Sequence, residues 1–140
     1  MDPIQKTSNN ESTQNHTCPA TGLPIFCRPE WTDIDIGKNY SVSFSLIGNA
    51  ILCTAPNGIL SNQGTRRLLE EREKVLKEVN LWDKRYAEIR DYSLLKGRLP
   101  KESRMMMTNL LIKETNEVRL VGFWGFNAPL LVRWMFNVGF

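Results

Sequence analysis

The sequence predicts a mixed α/β domain: an antiparallel hairpin, then alternating helices and strands, with the helices mainly on one face of the sheet. Three observations predict it. Tyr40, Val42, Phe44 and Leu46 alternate with Ser41, Ser43 and Ser45, the period-two pattern of a strand with one buried and one wet face. Leu68, Leu69, Val75, Leu76 and Val79 fall on one stripe at helical spacing, as on an amphipathic helix. Two further apolar runs, YAEIRDYSLL and VRLVGFWGF, alternate with helical patterns, which is the order of a sheet joined by crossover helices.

The elements follow in order. Residues 1–17 are rich in Asn, Gln, Ser and Thr and have little to bury, which predicts a disordered polar tail. Residues 18–39, beginning CPATGLPIFCRPEW, form an extended strap broken by prolines and a Thr-Gly pair, with Leu23, Ile25, Phe26 and Trp31 laid on the main body. The α/β body spans 40–140. After the first strand, Gly48-Asn49 supplies the positive-φ residues of a two-residue hairpin turn. Ala50 to Ala55 returns as the second strand, stopped by Pro56 with Asn57-Gly58.

Ser61 or Thr65 caps the first helix, whose outer side carries Arg66, Glu70, Glu73, Lys77 and Glu78. The run from Tyr86 to Leu95 is the third strand. Pro100 opens the second helix, which places Ser103, Met106, Met107, Leu110 and Leu111 near one face. VRLVGFWGF is a fourth strand, apolar on both faces and therefore expected at the centre. Asn127 caps a third helix, with Pro129 in its first turn and Leu130, Leu131, Trp134, Met135 and Val138 for burial.

At 140 residues, 41% hydrophobic and 24% charged, the chain is one ordinary globular domain with a tail. Its formal charge of +3 is mild and its charges are interspersed, which argues against nucleic acid as the main partner. No run approaches the roughly 20 apolar residues of a membrane span. The polar start has no signal-peptide core, and three cysteines make no disulfide framework. Those features point to a reduced, cytoplasmic protein.

The hairpin, the long helix and the strand end Asp91-x-Ser93-x-Leu95 before a helix resemble the STAS domain, the fold of bacterial anti-sigma-factor antagonists and of sulfate-transporter tails. More narrowly, CPATGLPIFCRPEWTDID, SLIGNAILCTAPNGIL and EIRDYSLLKG are similar to an input domain found ahead of PAS and histidine-kinase modules in bacterial sensor proteins. The resemblance covers about Cys18 to Phe140. It implies a non-enzymatic input module of a two-component signalling protein, with a kinase or PAS module as its protein partner. STAS antagonists carry a phosphorylatable Ser or Thr at the start of the second helix. Here Leu99-Pro100-Lys101 stands there and the nearest hydroxyl is Ser103, so the phosphorylation switch is not carried over. Such domains usually continue with another strand and helix. This sequence stops at MFNVGF, so either it is a trimmed piece or the fold is shortened; a missing strand leaves a sheet edge that a second subunit is expected to cover in a homodimer.

The candidate chemistry points to contact rather than reaction. Asp91 and Ser93 form a strand-end acid and hydroxyl, but no base lies near to activate the serine. Asp91 is expected to hold loop amides, as Asx turns do. The loop from Asp91 to Lys101, with Ser93, Lys96 and Gly97, together with Trp124 and Trp134, is the expected surface for a ligand or partner. His16, Cys18 and Cys27 offer three ligands at spacings unlike a zinc finger, and Cys53 joins them only if the strap crosses the second strand. No metal, cofactor or catalytic residue is therefore expected. The methionine-rich second helix and the Trp124, Phe126 and Trp134 cluster suit a small apolar ligand or a dimer partner. The rival functions are a dimerisation scaffold and a Cys/His metal or redox protein.

Overall fold

The computed structural model describes residues 15–19, 21–97 and 99–126. The expected third helix, with Trp134, lies outside these, as does most of the expected tail.

Among the described residues the fold is a mixed α/β structure: one eight-stranded sheet and two α-helices. The strands are β1 (Asn15–Thr17), β2 (Pro24–Phe26), β3 (Ile34–Gly37), β4 (Tyr40–Ile47), β5 (Ile51–Ile59), β6 (Tyr86–Asp91), β7 (Leu94–Lys96) and β8 (Leu120–Phe126). The helices are α1 (Asn62–Glu78) and α2 (Lys101–Asn116). The strand order is β1-β2-β4-β5-β6-β8, with β3 also on β4 and β7 also on β5. Strands up to β5 pair antiparallel, whereas β6 and β7 run parallel to β5, and β8 parallel to β6.

The sheet starts earlier than the sequence predicts. Asn15–Thr17, expected in the tail, forms β1, and the strap supplies β2 and β3, both paired with β4. Ile36 of the strap enters the core, and so does Trp31. Trp31 is buried and donates its indole N–H to Glu78 at 2.9 Å, while Leu23 and Phe26 stay exposed.

The hairpin is present with a different turn. Ile47 pairs with Ile51, so three residues close it, and of these Gly48 alone is left-handed (φ +65°). Nor does Pro56 end β5, which continues to Ile59. The β6 ladder along β5 ends at Thr54 and the β7 ladder begins at Asn57. Pro56 sits in the interval, where its missing N–H costs no ladder bond.

The expected third strand is two. The chain bends after Asp91, so that β6 pairs with the first half of β5 and β7 with its end. Among the described residues β8 is not central: it ends the strand order, with Val121 61% and Trp124 69% exposed.

Buried positions alternate along β4, β5 and β6, and these side chains join Leu68, Leu76, Met107 and Leu111 of both helices in one core cluster. Both helices therefore cover the same face of the sheet. Ser61 caps α1, accepting from the Gly64 amide at 3.0 Å. On α2 the buried stripe is Ser103, Met107, Leu111 and Glu114, with Met106 and Leu110 only half-buried.

Candidate functional site

The densest group of ionisable side chains is inside the protein. Arg72 continues the α1 stripe between Leu68 and Leu76, Glu88 and Arg90 follow Tyr86 on the buried side of β6, and Glu114 closes the α2 stripe. Arg72 donates from Nε to Glu88 at 2.8 Å and from Nη1 and Nη2 to Glu114 at 3.0 and 2.9 Å. Tyr86 donates to Glu114, Thr54 to the second oxygen of Glu88 at 2.9 Å, and Arg90 Nε to that same oxygen at 2.9 Å.

Burial by itself would raise the Glu88 carboxyl. Arg72 and Arg90 outweigh it and hold the group down at about 2. Glu114 is also held low, its burial outweighed by the bonds from Arg72. The Arg90 guanidinium also lies over the Phe123 ring at 5.2 Å and against the Tyr92 phenol. Two arginines thus face two glutamates, all buried. The cluster ties α1, β6 and α2 together through buried charge pairs. Sequence reasoning missed it. The available signal was a set of opposite charges standing at core-parity positions in three separate elements.

At the Asp91–Lys101 corner, Asp91 Oδ1 accepts the Ser93 amide at 3.0 Å, and the Leu95 amide bonds the Tyr92 carbonyl. The acid thus makes the bend that separates β6 from β7. Ser93, Lys96 and Gly97 are exposed, and Gly97 is left-handed (φ +80°). Ser103 is sealed between the helices. It accepts from Thr65 at 2.9 Å and donates to Asn62 at 2.9 Å, so a kinase cannot reach its hydroxyl in the folded protein.

Among the described residues no three His, Cys, Asp or Glu side chains converge as a metal-holding group. β2 lies beside β4 rather than across β5, so Cys27 and Cys53 flank the strand that carries Ser45, near enough for Cys27 to act on the Cys53 thiol. Burial pushes the Cys53 thiol up, as it does Cys27, which disfavours the reactive thiolate.

Three of the six expected contact residues share one surface. Alternation places Asp91 and Lys96 on the side of the sheet away from the helices, since Tyr86, Glu88, Arg90 and Leu95 face the core. Trp124 joins them. It pairs with Ile89, which pairs with Cys53, which pairs with Ser45. This row crosses four strands on a face that no described helix covers. Ser93 and Gly97 sit in the connecting turns rather than on this face.

The two ends of the uncovered face differ. Around Trp124 the lining is apolar or small: Ile51, Ala87, Ile89 and Gly122. Where β3, β4, β5 and β7 lie side by side there is an open groove of about 480 Å³, lined by Asp35, Asn39, Ser41, Asn57 and Lys96 with the backbone of Gly58. A smaller apolar groove of about 280 Å³ runs between α2 and β8 and includes Leu111, Ile112 and Phe123. Compared with protein-family models, curated proteins and solved structures, the chain matches none.

Proposed function

We propose that this chain is a non-enzymatic binding module whose output is contact with a partner protein on the uncovered face of its sheet. The observation that carries this reading is Trp124, 69% exposed at the end of the Ser45–Cys53–Ile89 row. A large aromatic beside small apolar neighbours is the composition of an interface centre rather than of ordinary surface. The fact that the closest-set ionisable groups are sealed inside supports contact over catalysis. Resemblance to the STAS-like input domains adds the partner's kind: a PAS or histidine-kinase module of a bacterial two-component protein.

The test is to titrate a PAS–kinase module with the wild-type chain and with Trp124→Ala. The expected result is binding that changes autophosphorylation, weakened more than about tenfold by the substitution. Equal binding by both proteins would remove the uncovered face from the function. The second reading, a homodimer scaffold, is favoured by β8 at the end of the strand order with Val121 exposed. Light scattering that finds a dimer dissolved by Val121→Lys, with no kinase effect, would replace the first reading by the second.

A further inference from the structure

The groove lies at the opposite end of the uncovered face from Trp124, and it is lined by two opposite charges as well as by the exposed Ile59 side chain. Asp35 stands on β3 opposite Ser41, Ser41 opposite Asn57, and Asn57 opposite Leu94. Lys96 is two residues farther along β7. Among the described residues neither Asp35 nor Lys96 forms an ion pair. Elsewhere on the surface many charges do find partners: Lys77 holds Glu73 at 2.9 Å and Arg119 holds Glu117 at 2.9 Å. Ser41 and Asn57 stand on the two strands between β3 and β7, and Asn39 lies at the groove's end beside Ile59; the hydroxyl and the amides are able both to donate and to accept.

We propose that this groove binds a small molecule carrying an ammonium and a carboxylate together, of the α-amino acid class, with the ammonium on Asp35 and the carboxylate on Lys96. The register sets the scale. Asp35 is three strand spacings from β7, about 14 Å between backbones, with Lys96 two residues farther along β7; a lysine side chain extended over the groove would shorten the gap a ligand has to span. At about 480 Å³ the groove falls inside the roughly 300–1,000 Å³ of small-ligand sites.

The charge pattern selects among ligands. A simple amine satisfies Asp35 and leaves Lys96 without a counter-charge, and a simple carboxylate does the reverse. A polyphosphate finds one cation and is repelled by Asp35. An apolar molecule would strip water from both charges and from the amides without replacing any hydrogen bond.

The floor is built rigidly enough to discriminate. Gly58 is left-handed (φ +103°), and a side chain there would strike the Asn39 carbonyl. That close approach lets the Ile59 amide bond the same carbonyl at 2.8 Å, which fixes Asn39 against the end of β5. The site is independent of the protein contact proposed at the Trp124 end.

Calorimetry on the full chain with L-alanine, methylamine and acetate tests the proposal, with wild type compared with Asp35→Asn and Lys96→Met. Both changes are at exposed side chains, and circular dichroism checks the fold. L-Alanine is expected to bind at millimolar concentration or better, and to weaken by about tenfold in each variant as one charge-assisted contact is lost. Methylamine should respond to Asp35→Asn alone and acetate to Lys96→Met alone. The proposal is overturned if L-alanine shows no binding, binds no tighter than its two half-probes, or binds both variants as well as wild type. Trp124→Ala is expected to leave L-alanine binding unchanged, so this result and the partner contact fail separately.

Discussion

Glu88 is the residue on which the interior turns. It takes hydrogen bonds from Arg72, Arg90 and Thr54 with its two oxygens, and both arginines are fully sealed from water. Glu88→Gln keeps the shape and removes the charge, leaving Arg72 with Glu114 alone and Arg90 without its carboxylate. Removing one partner of a buried ion pair costs about 3–5 kcal/mol, and urea denaturation should show a loss of that order. A loss below about 1 kcal/mol, the scale of an exposed pair, would mean that water reaches the cluster. The sequence carried these residues in plain view, but a charge at core parity has a meaning only when its counter-charge is known. Arg72 and Glu114 are 42 positions apart, and no local pattern joins them.

At the scale of elements, the connections decide more than the strands. Gly58 combines a left-handed backbone with contact against the Asn39 carbonyl. Gly58→Ala therefore meets both a conformational cost and a clash, and is expected to destabilise by about 1–3 kcal/mol, read as a lower midpoint in thermal unfolding. A Gly58→Ala protein as stable as wild type would show that the end of β5 is free to shift. Ser61→Ala removes the hydroxyl that accepts the Gly64 amide and should cost about 1 kcal/mol.

The hairpin, both helices and the Ser61 cap were legible because periodicity and capping are read within a few residues. The Pro56 reading failed for a non-local reason: whether a proline ends a strand depends on what pairs with its N–H side, and here the β6 and β7 ladders leave that position open. β8 was misplaced similarly. An apolar strand is central only if something lies on both sides, and apolar composition equally fits an edge that awaits a partner.

Across the whole molecule the buried cluster makes stability depend on acid. The ordinary value of a glutamate carboxyl is near 4.5, and in the folded protein that of Glu88 is about 2 because Arg72 and Arg90 outweigh its burial. Glu114 is shifted the same way. A carboxyl depressed by folding contributes its stability above the unfolded value and loses it as pH falls through the folded one. Stability should therefore be full above about pH 5 and fall progressively from about pH 4.5 towards 2, followed by denaturant midpoints at stepped pH. In Glu88→Gln the slope of that decline should be shallower. An equal slope would assign acid sensitivity to other carboxyls.

From sequence alone came the number of helices and strands between Tyr40 and Phe126 to within one strand, Ser61 as one of two candidate caps of α1, and three residues, Asp91, Lys96 and Trp124, that belong to the candidate surface. Tertiary structure alone decided that these three share a face, that the strap adds strands to the sheet, and that four charged side chains pair inside it. The division has a physical reason. Periodicity and capping act over one or two turns of chain, whereas strand neighbours, sheet faces and buried counter-charges arise from pairings between segments tens of residues apart.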